Sequence, residues 1–72
     1  MSFRQWIIKT NLRTDAPIGD LARDVSSDPN FPKGENRLRK LHSYLKWNNA
    51  CKEALDTLCY AWKEYKRSAR KP

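Results

Sequence analysis

Glycine is scarce in this sequence. Gly19 and Gly34 are the only two among 72 residues, so no glycine-rich loop can cradle a phosphate. Histidine is scarcer, with His42 alone. A lone histidine, flanking the core stripe of a third helix or half-exposed, supplies no acid–base or nucleophilic constellation, and no catalytic residue is assigned. Cysteine is limited to Cys51 and Cys59. With His42 they make three candidate ligands, where structural zinc takes about four; no metal or cofactor is expected. One helical pattern holds both cysteines, which places their Cα atoms roughly 12 Å apart at ~1.5 Å per residue. A disulfide needs less than about 7 Å, so both are free thiols. Cys51 reads as a small hydrophobe on the core face, and Cys59 lies nearer the edge, close to Lys63.

Long apolar runs are missing as well. None approaches the ~20 residues that a membrane span requires. No signal peptide is visible, and together with free thiols this makes a reducing cytoplasm the expected location. Strand alternation, internal repeats and low-complexity linkers are also absent. A chain of this length buries only ~60% of its unfolded surface, enough for one small core and no deep substrate cleft. Three Trp, three Tyr and two Phe give that core large area per residue.

Helical patterning fills most of the chain. Ser2 with Gln5 predicts a capping box, and Phe3, Trp6, Ile7 and Thr10 share one face, with Arg4 and Lys9 facing out. Asp15 is the expected cap of a second helix, with Pro17 in its first turn. Ile18, Leu21, Ala22 and Val25 form its apolar stripe. Gly19 reads as a close-packing position. Asp28-Pro29-Asn30-Phe31-Pro32-Lys33-Gly34 is the densest cluster of chain-breakers. It predicts a central turn, with Phe31 plugged into the core and Gly34 free to take a positive φ.

A third helix is expected over residues 36–46, with Leu38, Leu41 and Leu45 inward. Asn48 or Asn49 is expected to cap the last helix. Cys51, Ala54, Leu55, Leu58, Trp62 and Tyr65 hold helical spacing there over four turns. This helix should fray after Arg67 and leave residues 68–72 as a basic tail on a 1–67 domain. The expected fold is a compact all-α four-helix bundle with the long C-terminal helix as its spine. Its core is Phe3, Trp6, Ile7, Ile18, Leu21, Phe31, Leu41, Leu45, Leu55, Leu58 and Trp62.

Several of these residues form an ordered pattern: Ser2-Phe3, Trp6-Ile7, Asp15, Leu21-Ala22, Asp28 with Phe31-Pro32-Lys33, Tyr44-Leu45, and Ala61-Trp62 with Tyr65. In this order the chain resembles the YozE family of small bacterial proteins from Ser2 to Tyr65. The resemblance implies a fold similar to the sterile alpha motif (SAM) domain, and it implies no activity. SAM domains at large bind proteins, often each other, and some bind RNA. Two features depart from the family pattern. The second half is more basic, and Leu58-Cys59-Tyr60 stands where an acidic residue is expected.

The charge of +7 is uneven. Residues 1–30 carry Arg4, Lys9, Arg13 and Arg23 against Asp15, Asp20, Asp24 and Asp28, which cancel. Residues 31–72 carry eleven basic and four acidic side chains, the whole excess. An anionic partner follows: nucleic acid or an acidic protein surface. Arg37, Lys40, Tyr44 and Trp47 recur at helical spacing, and cations interleaved with rings suit phosphates and unpaired bases. Two readings stand for Tyr44 and Trp47, as binding face or as core. Lys63, Arg67 and Arg70 are expected to extend the basic surface along the last helix, beside Lys52. Asp20, Asp24 and Asp28 give the second helix an acidic face, which a basic face of another copy could meet. The expected function is a non-enzymatic module docking on nucleic acid. The alternative is a protein–protein module, self-associating weakly or inhibiting a host protein, phage- or plasmid-encoded.

Overall fold

The computed structural model describes residues 1–69 and contains four α-helices: α1 (Phe3–Asn11), α2 (Pro17–Ser27), α3 (Leu38–Trp47) and α4 (Lys52–Ala69). The expected all-α bundle is present, and no strand occurs among the described residues. Of the expected 68–72 basic tail, Arg70, Lys71 and Pro72 lie outside them, whereas Ser68 and Ala69 belong to the last helix, which does not end at Arg67 but continues to Ala69.

The helix ends follow local chemistry. At α1 the Gln5 N–H donates to Ser2 Oγ at 3.2 Å, and the Ser2 N–H donates to Gln5 Oε1 at 3.1 Å, completing the capping box. Thr10 is exposed rather than inward, its hydroxyl donating to the Trp6 carbonyl. Arg4, expected to face out, is half-buried. Helix α2 starts one residue later than an Asp15 cap implies. Ala16 is its N-cap, without a side-chain bond, and Pro17 occupies N1, where its fixed φ suits a helix start. The N-terminus of α3 also shifts inward, to an N-cap at Arg37, because the Glu35 carboxylate holds the Asn36 and Arg37 N–H groups in a turn.

The break between α3 and α4 differs most from expectation. Asn48 and Asn49 do not cap α4; they close α3. Asn49 takes φ 63°, the left-handed region. The Ala50 N–H donates to the Leu45 carbonyl at 3.0 Å and the Asn49 N–H to Lys46 at 3.0 Å, a Schellman closure. Asparagine tolerates this conformation better than other non-glycine residues. Gly34, which permits a positive φ, does not adopt one. A consequence reaches Cys51. It precedes α4 instead of lying inside it, and its side chain is exposed, not core.

The core gathers Phe3 and Ile7 from α1, Leu21, Ala22 and Val25 from α2, Phe31 from the turn, Leu41 from α3, and Leu58, Ala61 and Tyr65 from α4. Trp6, Ile18, Leu45 and Trp62 pack against this cluster while partly exposed. Leu55 is a correction: it is half-buried and outside the cluster. Helical spacing puts it toward the edge of the α4 stripe, about 60° from Leu58 at ~100° per residue.

Phe3, Trp6, Trp62 and Tyr65 form one aromatic cluster, each ring within 6.0 Å of at least one other. The Tyr65 hydroxyl donates to the Met1 carbonyl at 2.6 Å, which ties α4 to the start of the chain. Gly19 is a close-packing position, as expected: a Cβ there would sit 1.7 Å from the Thr14 carbonyl oxygen. Arg23 closes the same corner, donating to the Leu12 and Thr14 carbonyls at 3.0 and 3.2 Å.

Helix α4 packs against all three other helices, and α1 also packs on α2. Helix α3 touches only α4. The Asp28–Gly34 turn provides its second anchor. Pro29 holds Asp28 in extended backbone and ends α2. Phe31, 2% exposed, meets the Tyr44 ring edge-on at 5.6 Å. The Tyr44 hydroxyl donates to Asp28, whose other carboxylate oxygen accepts the Asn30 N–H at 2.9 Å.

Candidate nucleic-acid interface

Because α3 is anchored on one side only, most of its circumference faces solvent. Leu41 is its single fully buried residue, with Leu38, Tyr44 and Leu45 packed at the edge of the core. The opposite arc carries Arg39, Lys40, Ser43, Lys46 and Trp47, and all five are exposed. Spacing of three, four and seven residues brings these side chains onto one face. Trp47 is 85% exposed, the most exposed large hydrophobic residue among those described.

The structure separates the two rings that sequence spacing put together. Tyr44 belongs to the core edge, where it is held by Asp28 and Phe31. Trp47 remains outside. It is the last residue of α3, and the Schellman closure follows it directly.

The other predicted site residues divide. Lys40 is exposed and shares the Trp47 face. Arg37 is exposed at the N-cap but pairs with Glu35 at 3.3 Å. Lys63 is exposed on α4, and Arg67 pairs there with Glu64 at 3.2 Å. Lys66 sits over the Trp62 ring, 5.5 Å from its centroid. In α4 the basic Lys52, Lys63, Lys66 and Arg67 are set against Glu53, Asp56 and Glu64, four minus three, leaving +1. Helix α3 carries Arg39, Lys40 and Lys46 with no acid, leaving +3 in ten residues. The strongest positive density therefore lies on α3, not on the long helix.

Arg39 and Lys46 were missed by spacing alone. A signal was available: between Glu35 and Glu53 the chain has no acidic residue and five basic ones.

Comparison with known proteins bears on the fold. The model of the YozE SAM-like fold family matches residues 2–67. The chain belongs to this family. Searches of curated proteins and of solved structures find no match. In this member of the YozE SAM-like family, Asp28, Phe31 and Tyr44 converge on one anchor behind α3.

That anchor has its own electrostatics. The hydrogen bond from Tyr44 holds the Asp28 carboxyl below its ordinary value, with help from the Asn30 N–H. The same bond, with desolvation and the Asp28 charge, raises the Tyr44 phenol. Asp28 is thus occupied internally. Asp20 is occupied too, by Arg23. The expected acidic face of α2 is left with Asp24 as its unpaired member among the described residues.

Asp24 borders a second feature, a shallow groove along the α2–α4 seam. Three adjoining depressions form it, with Leu21, Val25 and Ala54 on the floor and Asp24, Glu53 and Asp56 at the margins. Among the described residues no group of three or more His, Cys, Asp or Glu is placed to hold a metal. No described helix is long and apolar enough to cross a membrane.

Proposed function

We propose that the protein is a small non-enzymatic binding module of the cytoplasm that docks on nucleic acid through the outer face of α3. The observation that carries this reading is Trp47, 85% exposed, on an acid-free helix face with Arg39, Lys40 and Lys46. Cations there neutralise phosphates and release counterions. Lys63 and Arg67 on α4 extend the basic surface, each at lower weight because α4 is nearly charge-balanced.

Titration of the full chain against labelled oligonucleotide, by anisotropy at several salt concentrations, tests the reading. Three phosphate contacts give a log–log salt slope of about −2 to −3. Absence of binding at low salt, or affinity indifferent to salt, would overturn it.

The α2–α4 groove favours a second reading, a protein–protein module. Its apolar floor and acidic margins suit a cationic partner surface, which α3 of another copy offers. Masking of an acidic host protein by α3, as a phage- or plasmid-encoded inhibitor would do, uses the same cations as nucleic-acid docking. Sedimentation as a strict monomer at high concentration and low salt would remove the self-association version.

A further inference from the structure

Helix α3 presents charge and an aromatic surface together, and the two make different demands on a ligand. Arg39, Lys40 and Lys46 ask only for phosphate. Trp47 asks for a flat apolar partner. In a duplex the base faces are stacked on one another, and only groove edges and backbone reach a protein's convex surface. A single strand exposes base faces beside its phosphates, and aromatic side chains stack on them without regard to sequence.

We propose that the α3 face takes single-stranded nucleic acid, with Trp47 stacking on an unpaired base and Arg39, Lys40 and Lys46 on the neighbouring phosphates. The inference rests on the reading of α3 as a nucleic-acid face. Three structural facts carry it. First, among the described residues no ring pairs with the indole: both members of every aromatic pair come from Phe3, Trp6, Phe31, Tyr44, Trp62 and Tyr65. Second, Trp47 is the last residue of α3, next to the reversal at Asn48–Asn49, so a strand can pass it without striking a further helical turn. Third, the cations are spread along the face: from Arg39 to Trp47 the helix rises about 12 Å, with Arg39 and Lys40 at one end and Lys46 beside Trp47 at the other. Tyr44 contributes nothing to stacking, because its ring and hydroxyl are engaged by Phe31 and Asp28.

The test compares oligothymidylate and oligouridylate of about ten nucleotides, within the span of single-strand sites, with a mixed-sequence duplex of the same length. Binding to the full chain is read by anisotropy at low salt. Both single strands should bind several-fold tighter than the duplex. Trp47→Ala should weaken single-strand binding about ten-fold and leave duplex binding within about two-fold. Trp47→Phe should recover most of the loss. Lys40→Ala with Lys46→Ala should weaken both ligands alike and flatten both salt slopes. Duplex bound as tightly as the single strands, or Trp47→Ala weakening both ligands equally, would overturn the single-strand inference and leave the nucleic-acid reading standing. No binding to any of the three would overturn both. Trp47 is 85% exposed and is not a member of the buried cluster, so its variants are expected to fold, which urea denaturation of each variant checks.

Discussion

Trp62 and Trp47 are the same residue in similar settings. Each lies on the C-terminal half of an amphipathic helix with a lysine close by. Trp62 is packed within 5.7 Å of Phe3 and 5.4 Å of Tyr65, and Lys66 caps its ring from outside. Trp47 has no such neighbours and is 85% exposed. The difference lies in what stands opposite each helix. Helix α4 meets three helices, so its stripe is covered along most of its length. Helix α3 meets one, so a large side chain beyond the leucine stripe has nothing to pack on. Burial of an aromatic here is decided by the partner surface and not by the residue.

That contrast can be broken at several points. The largest effects belong to the buried rings. Phe3→Ala and Phe31→Ala should each destabilise the fold by ~3–5 kcal/mol, measured by urea denaturation, enough to unfold a domain of this size. A loss under about 1 kcal/mol at either site would show that the aromatic core is not what holds the helices together. Gly19→Ala comes next. Its Cβ would meet the Thr14 carbonyl, part of the backbone, so the α1–α2 corner must move. A loss of about 1–3 kcal/mol follows, visible as a lowered melting temperature.

Tyr44→Phe isolates the anchor behind α3 through its pH dependence. Asp28 is held below its ordinary 3.8. Its contribution is therefore complete above that pH and is lost as pH falls through the lowered folded-state value. Tyr44 is raised above 10.0. Its contribution is complete below that pH and is lost as pH rises through the raised value. Wild type should exceed Tyr44→Phe in stability across the plateau between, and the gap should close at both ends. A gap that stays constant into acid would mean that the Asp28 carboxylate is not the partner.

The smallest expected effect is the most telling. Trp47→Ala should change stability by less than about 0.5 kcal/mol, in the same urea experiment that shows a large loss for Trp62→Ala. It should also remove most of the tryptophan fluorescence that iodide can quench. A destabilisation like that of Trp62→Ala would place Trp47 in the core and end the case for α3 as a binding face.

Much of the fold was legible in the chain because its signals are local. The capping box depends on Ser2 and Gln5, three residues apart. The stop at Asp28 depends on Pro29. The stripe of α4 depends on spacing within one helix. The misplacements have local competitors. Asn48 and Asn49 suit an N-cap and a left-handed C-terminal turn equally well by residue type, and the Schellman bonds to Leu45 and Lys46 favoured the second. Moving that boundary carried Cys51 out of the helix. Leu55 obeys helical spacing but lies toward the stripe's edge, where it is only half-buried. The candidate site was half legible. Lys40 and Trp47 were found by spacing; Arg39 and Lys46 were not, because Tyr44 occupied the same strip in the pattern.

The turn from Asp28 to Gly34, the four helices and the cationic second half follow from residue order alone. Proline geometry, apolar periodicity and charge count need no knowledge of what lies across the core. The tertiary structure decided where the two remaining rings go. Tyr44 has a hydroxyl and a carboxylate within reach, with Phe31 beneath, so it packs inward. Trp47 lies one helical turn further on, past the end of the surface that α4 and the turn provide. Its exposure beside three unopposed cations is a property of the assembled bundle.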